Sequence, residues 1–173
     1  MSLVHLHLLL NHLPVIGAFF GVLLLAVALA RRSSELAKVA LAFFAFLGAV
    51  SVAVFFTGEP AEELIEKLPG FSEAITERHE ELALVATIAM AGLGALALLV
   101  LAAFRRRPLP RGMTIVGLVA AVGVSALMAY VANLGGQIRH TEIRPGVSAS
   151  AAVTQPTELD ERVAEAGERP GRR

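Results

Sequence analysis

The chain contains no cysteine, so neither thiolate ligands nor disulfide bonds enter its chemistry. Imidazole is then the only strong ligand available for haem iron or a transition metal, and carboxylates can assist it. Five histidines are present, namely His5, His7, His12, His79 and His140. Any inorganic chemistry in this protein must therefore involve these five positions.

Charged residues are also scarce, and their distribution indicates a membrane protein. They make up 17% of the chain against 55% apolar residues, and the mean hydropathy is +0.67. Asp, Glu, Lys and Arg are absent from four stretches, which are 1–30, 39–58, 82–104 and 112–138. Each stretch reaches the length of about 20 residues that crosses a bilayer core of about 30 Å as a helix. The sequence therefore predicts four transmembrane helices.

The basic residues predict how these helices are oriented. Arginines or lysines cluster after the first and third predicted helices, at 31–38 and 105–111, whereas the connection at 59–81 is dominated by glutamate. Lys and Arg in short loops are retained in the cytoplasm, so we expect both termini and the acidic connection to be extracytoplasmic. The first apolar segment is not expected to be a cleaved signal, because its arginines follow it rather than precede it. These features predict a multi-pass protein of the bacterial inner membrane.

The predicted fold is all-α, an antiparallel four-helix transmembrane bundle over residues 1–144. Its helices are expected at about 3–30, 38–58, 72–104 and 113–134. Pro14 is expected to kink the first helix, and Gly135-Gly136 to end the fourth. Pro60 is well placed to open a short amphipathic helix on the extracytoplasmic surface. The polar composition of 145–173 predicts a mostly disordered extracytoplasmic tail.

Depth and helical phase select among the histidines. On the first predicted helix, counting about 20 residues back from the cytoplasmic arginines places the outer edge of the hydrocarbon near His12. On the third, the same count places that edge about 9 Å below His79. His5 and His7 point about 200° apart on a helix, so they cannot face one site together. We therefore expect one ligand from the first helix to pair with His79. His12 is preferred because it lies deepest and needs a partner there, and His5, His7 and His140 are the alternates.

Two kinds of chemistry suit such a pair. In the first, His12 and His79 bind the iron of haem b from opposite faces inside the bundle. In the second, histidines and carboxylates bind a copper, zinc or iron ion on the extracytoplasmic side. The residues expected for that ion are His79, His12, His140, Glu80 and Glu59. In a third interpretation, the protein binds no cofactor and is an accessory subunit of a membrane complex.

Other function classes lack their sequence patterns. The chain has no phosphate-binding glycine loop, no nucleophile elbow and no zinc-protease His-Glu-x-x-His. Most of its basic residues lie in the loops next to the membrane, which argues against nucleic-acid binding. We therefore expect an electron-transfer or binding protein rather than a stand-alone enzyme. Its expected partners are the lipid bilayer and, beyond it, redox proteins or another membrane subunit.

Several short motifs together resemble a known family. They are His5-Leu6-His7, the segment from Asn11 to Gly17 (NHLPVIG), Thr57-Gly58, His79 and Gly135-Gly136. The pattern is similar to a widespread bacterial family of small four-helix integral membrane proteins classed as a domain of unknown function, and the resemblance covers about 1–145. Some members of that family are joined to redox domains. The resemblance therefore implies a polytopic membrane protein and favours electron transfer.

Overall fold

The computed structural model describes residues 2–146, and every regular element within them is helical. The helices are α1 (Leu3–Leu10), α2 (His12–Ala30), α3 (Ser34–Phe56), α4 (Gly58–Ile65), α5 (Glu73–Ala103) and α6 (Arg111–Arg139), followed by a 3-10 turn at Thr141–Ile143. Four helical segments are long and apolar enough to cross a membrane: Leu3–Ala30 (α1 with α2), Ser34–Ile65 (α3 with α4), Glu73–Ala103 (α5) and Arg111–Arg139 (α6). The prediction of an all-helical chain with four such segments is confirmed. Apart from Pro145 and Gly146, the predicted tail lies outside the described residues.

The four long helices pack in a closed ring, in the order α2, α3, α5, α6 and back to α2. Small residues on the inner face of α2 make room for large ones on α3. Leu47 packs on Gly17, and Phe44 packs on Gly21. Both large side chains are fully buried. Because lipid tails are as apolar as leucine, close packing of this kind holds a membrane bundle together.

The closest helix pair is α3 and α5, which cross at Gly48 and Gly94. A Cβ atom added at Gly94 would lie 3.0 Å from the carbonyl oxygen of Phe44, and one added at Gly48 would lie 3.1 Å from that of Met90. The two backbones therefore touch, and a Cβ atom at either glycine would require the facing backbone to shift.

Large apolar side chains cover the outside of the ring. Phe56, Leu99 and Val119 are 74%, 66% and 68% exposed, and phenylalanines, leucines and isoleucines elsewhere are more than half exposed. A water-soluble monomer rarely exposes apolar area on this scale. Such a surface is stable in contact with lipid.

The first transmembrane segment is divided at Asn11, where α1 ends and α2 begins. Pro14 explains the division, because proline has no N–H to donate to the carbonyl of Leu10 and its ring clashes with that carbonyl. As the third residue of α2, Pro14 occupies the first turn, where a missing N–H costs nothing. His5 and His7 therefore belong to a separate short helix.

Two predicted helix boundaries were wrong. Helix α3 begins at Ser34 rather than 38, because the Ser33 hydroxyl accepts a hydrogen bond from the backbone N–H of Leu36 at 3.2 Å. Helix α6 does not end at Gly135-Gly136 but continues to Arg139. Glycine inside a helix costs only about 1 kcal/mol, which packing can offset.

Candidate functional site

His7 lies on the inner side of α1 and is tied to the end of α3. Its Nδ1 atom lies 3.2 Å from the carbonyl oxygen of Val54 and 3.2 Å from the hydroxyl oxygen of Thr57. The Thr57 hydroxyl donates its own proton to the Val54 carbonyl at 2.7 Å, so both atoms facing Nδ1 act as acceptors. Nδ1 of His7 must therefore carry the proton, which leaves a lone pair on Nε2.

His79 is anchored in a similar way between α5 and α6. It is half-buried on α5, and its Nδ1 lies 3.1 Å from the carbonyl oxygen of Val131 on α6. A carbonyl can only accept, so Nδ1 of His79 donates and its Nε2 also keeps a free lone pair. An imidazole anchored in this way has a fixed orientation and a fixed tautomer, as in proteins where histidine ligates a metal.

Both rings pack against glycines, and these are the glycines of the sequence motifs. A Cβ atom added at Gly58 would lie 3.7 Å from Cε1 of His7, and one added at Gly135 would lie 3.1 Å from Cε1 of His79. The two imidazoles are near enough for a charge on one to act on the other. Thr57-Gly58, Gly135-Gly136, His7 and His79 thus converge at one end of the bundle, the end where α3 and α6 finish.

Asn11 adds an unpartnered acceptor below His7. The two residues are four positions apart, which places them on one helix face about one turn from each other. The side-chain oxygen of Asn11 is buried, and no donor among residues 2–146 reaches it. An unpaired buried polar atom is costly, and such atoms are uncommon. The atom marks a position where a bound group with a hydrogen-bond donor would be stabilised.

His12, the preferred ligand from the sequence, does not share the site of His79. Its side chain is exposed and lines an apolar groove of about 310 Å³ on the outside of the bundle, together with Leu9, Phe20 and Phe46. The pairing of His12 with His79 is therefore corrected. The reason is helical phase, because five residues turn a helix by about 140°, so His7 faces inward and His12 faces outward.

The remaining histidines lie at the surface. His5 is exposed and its Nδ1 is 2.7 Å from the hydroxyl of Ser2, within the same turn. His140 is exposed and its Nδ1 is 2.9 Å from a carboxylate oxygen of Glu142. The backbone N–H of Glu142 and the nearby His140 hold the pKa of the Glu142 carboxyl below its usual range. Both histidines thus bond to side chains within three residues of themselves.

The carboxylates proposed for a metal ion lie at the surface. Glu59 and Glu80 are both exposed. The carboxyl group of Glu80 lies next to that of Glu62. Glu62 belongs to α4, the short helix that follows the apolar helix α3. The hydrogen bond to Glu80, partial burial and repulsion from Glu80, Glu66 and Glu59 raise the pKa of Glu62 to about 7. Within residues 2–146 no three His, Asp or Glu side chains are grouped so that they could hold a metal ion.

Arg144 fastens this end of the bundle, a role with no local sequence signal. Its guanidinium donates to the carbonyl oxygens of Gln137 at 2.8 Å and Ile138 at 3.0 Å, which the end of α6 leaves without helical partners. It also donates to the carbonyl oxygen of Gly70 at 2.8 Å, in the loop before α5. Arg144 thereby joins the helices that carry His79 and Gly135.

The chain matches no protein-family model, no curated protein and no solved structure. The family membership suggested by the motifs therefore stays a prediction.

Proposed function

We propose that the protein is an integral protein of the bacterial inner membrane that binds haem b between His7 and His79 and takes part in electron transfer. The observation that carries the proposal is the pair of half-buried imidazoles whose Nδ1 atoms are committed to backbone carbonyls. Each has a free Nε2 lone pair, and haem iron held by two histidines needs two such nitrogens. His7 replaces His12 in the ligand pair expected from the sequence.

The proposal includes an arrangement in the membrane. Helices α2, α3, α5 and α6 form an antiparallel bundle with both termini outside the cytoplasm, as the arginine distribution predicts. Helix α4 lies on the extracytoplasmic surface as an amphipathic helix, since Leu64 and Ile65 adjoin Glu62 and Glu63 in its short sequence. The site then lies at the extracytoplasmic end, in reach of redox proteins or another membrane subunit.

The core limits where haem can lie. Leu47 and Met90 are fully buried and fill the middle of the bundle. Thr57 lies about 15 Å beyond Leu47 along α3, and His79 lies about 16 Å before Met90 along α5. Haem would then be held by His7 and His79 beyond this layer, and the buried side-chain oxygen of Asn11 could accept a hydrogen bond from it. When bound, haem supplies one-electron exchange, while the chain's own residues orient the two imidazoles and fix their proton positions.

A metal ion is less well supported than haem. Structural and catalytic zinc sites take three or four protein ligands, and copper and non-haem iron sites take about three. The residues put forward for an ion, including His140, Glu59 and Glu80, do not meet in the described part of the chain. Two imidazoles with free Nε2 atoms would be enough to hold a haem group.

The test is the absorption spectrum of protein purified in detergent after expression with ample haem. We expect a Soret band and, in the reduced-minus-oxidised difference, an α band of a six-coordinate haem. Single substitutions His7→Ala and His79→Ala should each remove the six-coordinate signal.

His12→Ala is the matched control, because it deletes an imidazole five residues from His7 that faces away from the site. Its spectrum should equal that of the unsubstituted protein. Absence of any haem bands in folded protein would overturn the proposal. Loss of the bands with His12→Ala but not with His7→Ala would overturn the ligand assignment.

A further inference from the structure

A second candidate site lies at the opposite end of the bundle, far from the histidines. A cavity of about 380 Å³ opens where α2 ends and where α3 and α6 begin. Its polar lining consists of Arg32, Ser33, Ser34, Arg111 and Thr114. The cavity has two cationic side chains, three hydroxyl groups and no carboxylate in its lining.

The three hydroxyl groups are able to donate hydrogen bonds into the cavity. Ser33 and Ser34 already accept, from the backbone N–H groups of Leu36 at 3.2 Å and Leu109 at 2.6 Å. Their protons therefore remain for another acceptor. Thr114 is only 5% exposed, and it lines the same cavity.

The helix ends favour a negative charge at the same place. The first residues of α3 and α6, Ser34 and Arg111, both line the cavity. Helix N-termini carry unpaired N–H groups and a partial positive charge, which attract phosphate and other anions. Helix α6 has Pro110 at its N-cap and no side-chain cap. Its N-terminal N–H groups are thus not satisfied by a capping side chain.

Arg32 adopts a backbone conformation that arginine rarely takes. Its φ is 52°, and the chain there closes α2 with hydrogen bonds from Arg32 N to Leu29 O at 3.3 Å and from Ser33 N to Ala28 O at 2.9 Å. Glycine is the usual residue at this position of such a helix ending, because it has no Cβ to strain. An arginine held there at a cost of roughly 1–2 kcal/mol suggests that its side chain has a use.

No acidic side chain in the described part of the chain neutralises the two arginines. The one carboxylate nearby in sequence, Glu35, pairs with Lys38 at 3.0 Å. Arg31 and the arginines at 105–107 add further positive charge to the same end. The field at the cavity therefore favours an anion, whichever side of the membrane this end faces.

We propose that this cavity binds the phosphate group of an anionic phospholipid. The cavity lies at the end of membrane-spanning helices, where lipid headgroups are concentrated, and basic pockets between such helices are known to accept anionic headgroups. In this account Arg32 and Arg111 bind the phosphate oxygens, and the hydroxyls of Ser33, Ser34 and Thr114 donate to them. The site does not depend on the histidines or on haem.

The experiment is a native mass-spectrometric titration of the full chain in detergent. Phosphatidylglycerol and phosphatidylcholine with identical acyl chains are compared, and inorganic phosphate is added as a competitor in a separate arm. We expect one phosphatidylglycerol to bind roughly tenfold or more tightly than phosphatidylcholine, since each surface arginine contributes about 1 kcal/mol. Arg32→Gly and Arg111→Gln should each weaken binding of phosphatidylglycerol roughly fivefold.

Arg32→Gly is the more informative variant, because glycine suits the positive φ and the fold should be at least as stable. Arg106→Gln is the matched control: it removes one charge from the same end without touching the cavity, and its effect should be under about twofold at moderate salt. Equal binding of the two lipids, or equal losses in all three variants, would overturn the proposal. Binding of inorganic phosphate that depends on Arg32 and Arg111, without a preference among lipids, would overturn the lipid as ligand.

Discussion

His79 packs directly on Gly135, so that a methyl group at Gly135 would lie 3.1 Å from Cε1 of the imidazole. The contact holds the ring where its Nδ1 reaches the Val131 carbonyl at 3.1 Å. A larger residue would push the ring away from that carbonyl. The glycine pair therefore shapes the histidine site. From the sequence alone, the same pair was expected to end the fourth helix.

Gly135→Ala should be less stable than Gly136→Ala, its matched control. Both changes raise helix propensity equally, but a Cβ atom at Gly136 would meet only Ile143 at an ordinary 3.6 Å. Overpacking against His79 should make the difference in free energy of unfolding about 1 kcal/mol. Thermal unfolding in detergent measures it. Equal stabilities would show that the ring moves freely and that the contact is unimportant.

Much of this fold was predictable from the sequence, and the phase of the first helix explains what was not. The four apolar segments follow from charge-free stretches, but apolar residues surround each helix, so hydrophobic periodicity does not show which side faces inward. Small residues do show it, since Pro14, Ala18, Gly21, Leu25 and Ala28 are buried in α2. If the same spacing of buried residues continues towards the N-terminus, the next inward-facing positions are Asn11 and His7. Depth alone selected His12, and phase selects His7.

Long-range contacts explain the other failures of prediction. Arg144 binds the carbonyl of Gly70, 74 residues away, and no local pattern predicts such a contact. The same arginine caps the carbonyls of Gln137 and Ile138, and this helps α6 to continue past its glycine pair. A helix boundary that depends on a residue beyond the helix is not visible in the helix's own sequence.

Arg144→Gln should loosen the end of the bundle that carries the histidines. The substitution removes charge-assisted hydrogen bonds to three carbonyls, which are worth about 1.5–3 kcal/mol each when both partners are shielded and less at this partly exposed site. Hydrogen exchange of the amides at 68–76 and 134–140 should become faster. Arg139→Gln is the control, because Arg139 is exposed and its side chain forms no hydrogen bond within residues 2–146. Unchanged exchange in Arg144→Gln would contradict the account.

The close crossing of α3 and α5 should tolerate no side chain at Gly94. A Cβ atom there would meet the backbone oxygen of Phe44 at 3.0 Å, and a backbone cannot move aside as a side chain does. We expect Gly94→Ala to destabilise the bundle by about 1–3 kcal/mol. Gly92→Ala on the same helix is the control, because nothing lies within 4 Å of its added Cβ. Denaturation in mixed detergent compares them, and a stable Gly94→Ala would mean that the helices cross further apart.

The carboxyl pair of Glu62 and Glu80 should make stability depend on pH. The pKa of Glu62 is raised from 4.5 to about 7, so the folded protein holds a proton that the unfolded chain has released. The contribution of protonated Glu62 to the free energy of unfolding is complete below pH 4.5, and it is lost as the pH rises through 7. Glu62→Gln keeps a hydrogen-bond donor at every pH, and should therefore reduce the fall in Tm between pH 5.5 and pH 8.

Glu63→Gln is the matched control for that prediction, because Glu63 is the next residue along α4 and is exposed. It should leave the dependence of Tm on pH as it is in the unsubstituted protein. Comparison of variants removes the contributions to the pH dependence that all of them share. If Glu62→Gln and the unsubstituted protein show the same dependence, the pKa of Glu62 is not raised in the folded protein.

The most direct test of the account is chemical rescue of the His7→Gly variant. If Nε2 of His7 is an axial ligand, the variant has a space beside the haem iron that free imidazole can fill. The account predicts that His7→Gly loses the six-coordinate α band in the reduced-minus-oxidised spectrum and regains it when imidazole is added. A His7→Gly spectrum identical to that of the unsubstituted protein without imidazole would contradict the account.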